Sequence, residues 1–161
     1  MRRQLTLFVP AAEARALEAL RARLDPVQHG LIAAHVTLCR EDELGDLAAI
    51  RARLAAGGLP APALTFAAPE VFDGHGLLLR CVAGREAFRA LRERVLGSTA
   101  VRDHSPHLTL AHPRNPRAPG NALLETPGLP ERLTVTFPEV RLIEQDGARP
   151  WVELERFALA R

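Results

Sequence analysis

The sequence predicts an α+β fold of two related lobes, with antiparallel sheets lining a central cleft. A strand–helix–strand unit occurs twice in the 161 residues, and both copies end in a His-x-Thr-Leu tetrapeptide. Several predicted strands alternate apolar and polar residues, which suits a sheet with one covered face. The length allows one domain with a sizeable core and is too short for two independent ones. We therefore expect residues 1–161 to form one two-lobed domain with pseudo-two-fold symmetry.

The first unit begins with an apolar strand over residues 5–9. Leucines at helical spacing follow over residues 16–24, and Pro26 ends that helix. The first tetrapeptide, residues 35–38, is the second strand of the unit. A further apolar stripe predicts a helix over residues 43–56, which a Gly-Gly pair ends.

The second unit has the same order: a strand over residues 77–82, a helix over 87–95, and a strand at the second tetrapeptide, 107–110. The two helices are 71 residues apart and the two tetrapeptides 72. Two copies of one unit in so short a chain suggest two lobes that share one sheet. A pseudo-two-fold axis would then bring the two motif strands together.

The remainder of the chain predicts a loop and three late strands. Residues 113–130 are rich in Pro, Gly and Asn, which is typical of a long loop. Strands are predicted over residues 133–137, 140–144 and 151–157.

Composition limits the function classes. No apolar run approaches the ~20 residues that cross a bilayer, and the N-terminus is interpreted as a strand, not a signal peptide. Cys39 and Cys81 match no zinc or redox motif, so reduced thiols in a cytosol are expected. The 21 basic residues, all arginine, are spread along a chain of net charge +2, a weak indication of nucleic-acid binding. We therefore expect a cytoplasmic protein with no membrane partner.

The repeated tetrapeptide is the most informative feature of the sequence. The residue frequencies predict about 0.05 chance occurrences of His-x-Thr-Leu, and two occurrences have a probability on the order of 0.001. On a strand, residues i and i+2 point to the same face, so His35 lies beside Thr37 and His107 beside Thr109. The intervening apolar residues face the other way and can anchor each strand on helices. If the strands are symmetry mates, two histidines and two threonines line one cleft.

This set of side chains suits phosphodiester chemistry. One neutral imidazole can take a proton from water or a ribose hydroxyl, while the other, protonated, can give one to the departing oxygen. Threonine hydroxyls can bind the non-bridging phosphate oxygens. Acid, base and oxygen donors are then all side chains, so we expect no metal and no cofactor.

Two other interpretations concern single residues. His104-x-x-His107 with Asp103 could suggest a metal site, but no second cluster with zinc-like spacing accompanies it. Cys39 shares a strand face with His35 and Thr37, which could suggest a thiol nucleophile. Packing of a small polarizable side chain at the cleft floor is the preferred interpretation.

With these motifs the sequence resembles the 2H phosphoesterase superfamily, in particular its branch of 2′-5′ RNA ligase-like proteins and cyclic phosphodiesterases. The resemblance covers nearly the whole chain, from the strand ending at Pro10 to the segment Ser105-Pro106-His107-Leu108-Thr109-Leu110. A Pro before the second motif's His is common in that branch. The resemblance implies a bilobal α+β fold in which the two motifs face each other across a central cleft.

The resemblance also implies a function: metal-free hydrolysis of 2′,3′-cyclic phosphates on RNA ends or nucleotides, usually to 2′-phosphates. His35 and His107 would be the acid/base pair, and Thr37 and Thr109 the phosphate binders. Two alternatives stay open, which are joining of RNA ends through a 2′-5′ bond and a non-catalytic RNA or nucleotide binder.

Many relatives carry Arg two residues after the motif's Leu. Arg40 fits that pattern, whereas His112 stands at the second position, with Arg114 close by. We predict these three as substrate-binding residues. A symmetric two-lobed chain has no evident need to dimerise, so a monomer is expected.

Overall fold

The computed structural model describes residues 1–72, 76–122 and 131–160. Within these ranges it has eight strands and four α-helices, with short 3₁₀ turns at Glu41–Glu43 and Pro119–Ala122. In chain order the elements are β1 (Arg2–Phe8), α1 (Ala11–Leu24), α2 (Pro26–Leu31), β2 (His35–Cys39), α3 (Leu47–Ala55), β3 (Ala63–Val71), β4 (Leu77–Ala83), α4 (Arg85–Leu96), β5 (His107–Ala111), β6 (Leu133–Thr136), β7 (Glu139–Gln145) and β8 (Val152–Ala158).

The strands form two antiparallel four-stranded sheets, in the orders β2-β1-β7-β8 and β5-β4-β3-β6. The predicted α+β class, with a duplicated unit in two lobes, is confirmed. The expectation that both lobes share one sheet is wrong. Each unit pairs its two strands with each other, and β7 and β8 complete one sheet while β3 and β6 complete the other. The two motif strands, β2 and β5, are therefore edge strands of different sheets.

The duplication extends to individual strand pairs. His35 pairs with Phe8, and 72 residues later His107 pairs with Arg80. Each pairing has a register shift, at equivalent places in the two sheets. The other three strand pairs keep the same offset. In the first sheet they are Leu7 with Val36, Thr6 with Thr37 and Leu5 with Cys39. Their equivalents in the second sheet are Leu79 with Leu108, Leu78 with Thr109 and Leu77 with Ala111.

The helices cross between the lobes. α1 packs against β5, and α4 packs against β2. The apolar stripes that the sequence predicts are the buried faces of these helices: Leu17, Leu20 and Leu24 in α1, and Phe88, Leu91 and Val95 in α4. β2 and β5 also contact each other. A shared core of buried residues from both lobes therefore lies behind the motif strands.

Some element boundaries differ from the prediction. The helix expected over residues 43–56 begins at Leu47, because the Asp46 carboxylate accepts from the Ala49 amide and caps it there. Strand β3 and helix α2 have no counterpart in the sequence prediction. The predicted loop 113–130 contains a 3₁₀ turn, and its part from residue 123 onward lies outside the described residues.

No helix among the described residues combines the length and the apolar character needed to span a bilayer.

Candidate active site

The two motif strands present the same alternation of side chains. In β2 and β5 alike, the His and Thr are half-buried, whereas the apolar residues between and after them are buried. His35 and Thr37 thus share one face of β2, and His107 and Thr109 share the equivalent face of β5. Because β2 and β5 contact each other, the four side chains are brought to one region between the lobes.

Each motif histidine is held by a backbone carbonyl two residues before it. Nδ1–H of His35 donates to the Ala33 carbonyl at 2.8 Å, and Nδ1–H of His107 donates to the Ser105 carbonyl at 2.9 Å. A carbonyl only accepts, so the hydrogen must be on Nδ1 in both rings. Each neutral imidazole then presents Nε2 as its free proton acceptor.

The environment of His35 favours the neutral imidazole. Its pKa is lowered from 6.5 to about 4, chiefly by desolvation and also by the positive charges of Arg21, His107 and His112, against the bond to Ala33 that raises it. His35 is therefore uncharged at neutral pH. Positive charge on His107 therefore disfavours protonation of His35.

Aromatic rings flank both histidines. Phe8 lies at a tilt to His35, with ring centroids 6.0 Å apart. Phe72 stacks nearly parallel to His107, at 6.2 Å and an interplanar angle of 16°. The sequence prediction did not include these two phenylalanines. The pairing of β1 with β2 puts Phe8 opposite His35, and a prediction of strand register could have found it.

His104 also belongs to the site, although the sequence analysis considered it only for a metal site that it did not favour. Its ring lies 6.2 Å from that of His107 and stacks on Phe88 of α4 at 6.0 Å. Nε2–H of His104 donates to the Thr37 carbonyl at 3.1 Å. Desolvation and the charges of Arg92 and Arg40 lower the pKa of His104 to about 4.

The three predicted substrate-binding residues lie at different places. His112 is half-buried, and its pKa is lowered by desolvation and then by the charge of Arg114. His112 directly follows β5, which carries the second motif, and its charge in turn lowers the pKa of His35. Arg40 and Arg114 are exposed. Arg114 donates its backbone N–H to Nδ1 of His112 at 3.0 Å, which leaves Nε2–H as the donor of His112.

Metal and thiol chemistry were the other interpretations. No group of three or more His, Cys, Asp or Glu residues that could hold a metal ion occurs in the described parts of the chain. The alternation predicted that Cys39 shares the accessible face of His35 and Thr37, but Cys39 is fully buried. The strand alternation is interrupted there, because a register shift lies next to the pairing of Cys39 with Leu5. Desolvation raises the pKa of Cys39 to about 12. The packing interpretation of Cys39 agrees with this burial.

Sequence comparison identifies the family. The model of the 2′-5′ RNA ligase superfamily matches residues 8–149, a range that includes both His-x-Thr-Leu motifs. The chain belongs to this superfamily. The resemblance to 2H phosphoesterases is confirmed. No curated protein sequence gives a significant match to the chain.

Solved structures share the superfamily fold. Escherichia coli LigT in complex with phosphate is 19% identical with a TM-score of 0.64, and the match covers 99% of this chain and 98% of that one. A phosphoesterase matches with 19% identity and a TM-score of 0.65 over 99% of both chains. The protein TT0787 of Thermus thermophilus is 24% identical, with a TM-score of 0.58 over 99% of this chain and 98% of that one. These likenesses establish the bilobal fold.

Proposed function

We propose that the protein is a metal-independent phosphodiesterase that hydrolyses 2′,3′-cyclic phosphates of RNA ends or nucleotides. The observation that carries the proposal is the matched pair of histidines. Each is fixed through Nδ1 to a carbonyl two residues before it, and each has a threonine two residues after it on the same face. Superfamily membership and the phosphate in the complex of Escherichia coli LigT support it.

His35 is the general base in this proposal. Its neutral imidazole presents Nε2, and its lowered pKa keeps that nitrogen unprotonated at neutral pH. Nε2 takes a proton from a water molecule as the water oxygen attacks phosphorus. His107 is the general acid: it gives a proton to the 3′ oxygen as the bond between that oxygen and phosphorus breaks. The products are a 2′-phosphate and a free 3′ hydroxyl.

Thr37 and Thr109 bind the non-bridging phosphate oxygens. Both are half-buried on the same faces as the histidines, so their hydroxyls can donate to an oxygen held between the strands. These oxygens gain charge in the transition state, and fixed donors stabilise it more than the ground state. His112, Arg40 and Arg114 would contribute positive or polar groups around the nucleotide.

The test is turnover of 2′,3′-cyclic nucleotides in the presence of a chelator. Replacement of either motif histidine, by His35→Gln or His107→Gln, is expected to lower kcat by about 10²–10⁴-fold, since each removes a positioned proton carrier. Thr37→Val or Thr109→Val is expected to lower kcat by about 10²-fold, because one donor to the charged oxygens is lost. The exposed Arg15, outside both motifs, supplies the control variant Arg15→Gln, for which the wild-type rate is expected.

Absence of turnover by the wild-type protein would overturn the proposal, as would full rates in both motif-histidine variants. The superfamily's name favours a second candidate, joining of RNA ends through a 2′-5′ bond. Incubating RNA with a 2′,3′-cyclic phosphate end and a 5′-hydroxyl acceptor separates the two, because hydrolysis gives a 2′-phosphate end and joining gives a longer strand. Binding without either product would indicate a non-catalytic RNA or nucleotide binder. A monomer stays a prediction, which sedimentation would check.

A further inference from the structure

Two side chains outside the motifs connect the motif strands across the boundary between the lobes. We propose that these residues, Arg21 and His104, are positioning residues that hold His35 and His107 at their working separation. The inference rests on the proposed function for its effect on rate, but the contacts themselves can be tested without any activity.

The need for such contacts follows from the topology. β2 and β5 are edge strands of different sheets, so no backbone ladder joins them among the described residues. Their relative placement therefore depends on side chains and on the helices behind them. Acid–base catalysis is sensitive to that placement, because a displacement of about 1 Å can cost about a hundredfold in rate.

Arg21 ties β5 to the segment that precedes His35. Only 4% of Arg21 is exposed, although it carries a guanidinium. Its Nε–H donates to the Thr109 carbonyl at 3.2 Å, and its Nη2–H donates to the Ile32 carbonyl at 2.8 Å. Its third nitrogen, Nη1, pairs with Glu18 at 2.9 Å. One rigid, planar group thus contacts both motif regions at once.

The segment held by Arg21 is the one that orients His35. Glu18, the ion-pair partner of Arg21, accepts the backbone N–H of Ala34 through its other carboxylate oxygen. Ala33 lies between Ile32 and Ala34, and its carbonyl accepts the hydrogen bond from Nδ1–H of His35. Fixing residues 32–34 therefore fixes the acceptor that determines the tautomer and ring direction of His35.

His104 makes the reciprocal connection, from the second motif to the first. It donates Nε2–H to the Thr37 carbonyl of β2 at 3.1 Å. It immediately precedes Ser105, whose carbonyl holds Nδ1 of His107. Stacking on Phe88 of α4 fixes the His104 ring itself.

The repeat relates the two connections. The acceptors, the carbonyls of Thr37 and Thr109, are 72 residues apart, and so are Ile32 and His104. The backbone carbonyl of each motif threonine accepts a hydrogen bond from a side chain connected to the segment before the other motif's histidine. The two connections differ chemically, because Arg21 binds that segment through the Ile32 carbonyl, whereas His104 is itself part of it. Arg92, 71 residues after Arg21, pairs with Glu43 instead.

The test compares variants that keep or remove each donor. His104→Phe keeps an aromatic ring against Phe88 and loses the donor, whereas His104→Gln restores an N–H donor. Arg21→Lys keeps the charge and loses the fork. We expect His104→Phe and Arg21→Lys to lower kcat for a 2′,3′-cyclic nucleotide by about ten- to a hundredfold with little change in KM, because geometry and not binding is altered. We expect His104→Gln to recover most of the rate.

Exposed neighbours supply the controls: Asp103→Asn beside His104 and Arg23→Lys on the helix of Arg21. Wild-type kcat is expected for both. Full kcat in both His104→Phe and Arg21→Lys would overturn the proposal, and so would equal losses in the controls. A failure of His104→Gln to recover any rate would overturn the role given to the His104 donor.

A second measurement does not depend on turnover. Long-range ¹H–¹⁵N spectra of the neutral imidazoles are expected to show His104 with its hydrogen on Nε2, and His35 and His107 with theirs on Nδ1. His104→Phe and Arg21→Lys are expected to shift the His35 and His107 resonances, whereas the controls leave them in place. If the wild-type protein hydrolyses no cyclic phosphate, the proposed function fails and these spectra alone decide the positioning role. Unmoved resonances would overturn it.

Discussion

A buried carboxylate, that of Asp25, joins the first lobe to the segment after β5. Asp25 is fully buried and caps α2, since its Oδ1 accepts the Gln28 backbone N–H at 3.1 Å. The same carboxylate accepts the His112 backbone N–H at 2.9 Å and the Asn115 side-chain amide at 2.8 Å. Asp46 offers a matched comparison, because it caps α3 from an exposed position through the Ala49 N–H alone.

The difference between the two aspartates predicts the size of the effect. Loss of an N-cap costs about 1 kcal/mol of stability, a cost that Asp25→Ala and Asp46→Ala share. Asp25→Ala also leaves the two donors from His112 and Asn115 without an acceptor, at about 1–3 kcal/mol each. Relief of the desolvation of the buried carboxylate offsets part of this loss. We therefore expect Asp25→Ala to lower the free energy of unfolding by about 3 kcal/mol, and Asp46→Ala by about 1 kcal/mol.

The measurement is urea unfolding at pH 7, followed by circular dichroism, with the slope m checked for constancy. A double-mutant cycle with Asn115→Ala adds a specific check. Asp25 and Asn115 are in contact, so the two losses are expected to be non-additive. Equal effects of Asp25→Ala and Asp46→Ala would refute the reasoning, and so would additive effects of Asp25→Ala and Asn115→Ala.

Three further predictions concern pH, a thiol and a glycine. The pKa values of His35 and His104 are lowered from 6.5 to about 4 on folding, so the unfolded chain binds more protons between these values. Their contribution to the free energy of unfolding is therefore expected to be fully present above about pH 6.5 and to decrease as the pH approaches 4. Urea midpoints that do not change over this window would contradict this expectation. The Cys39 thiol, buried and with its pKa raised to about 12, is expected to react with a disulfide reagent only on unfolding, and rapid reaction in the native protein would be the contrary result. Gly84→Ala is expected to destabilise the folded protein more than Gly58→Ala. Both glycines have positive φ, so alanine at either position costs about 1–3 kcal/mol of backbone strain. Of the two, only Gly84 would also place its Cβ against a backbone oxygen, that of Ala63, at 2.1 Å. Equal urea midpoints for these two variants would refute the steric argument.

Much of the site could be predicted from local patterns. The two-residue period of a strand puts His35 with Thr37 and His107 with Thr109, and burial follows that alternation over the first four residues of both strands. The offset between the repeats predicted the equivalence of the motif strands, and the strand partners keep it. These properties depend on residues that are neighbours in the chain, so the sequence displays them directly.

Other features were out of reach because they depend on residues far apart in the chain. Arg21 and Thr109 are 88 residues apart, and His104 and Thr37 are 67 apart, yet each pair shares a hydrogen bond. Nothing in the periodicity of α1 distinguishes Arg21 from the exposed Arg23. Strand β3 was also missed: Pro69 and Glu70 interrupt its apolar character, and its pairing with β4 and β6 defines it.

From the amino-acid sequence alone we could predict the repeat, the two His-x-Thr-Leu strands, the face shared by the His and Thr of each motif, and the superfamily resemblance. The folded structure was needed to show that the lobes have separate sheets, that α1 and α4 cross to the other lobe's motif strand, and that His35 is held neutral. The physical reason is the range of the interactions. Side-chain alternation is a property of a single strand, whereas desolvation and cross-lobe hydrogen bonds exist only once distant segments pack together.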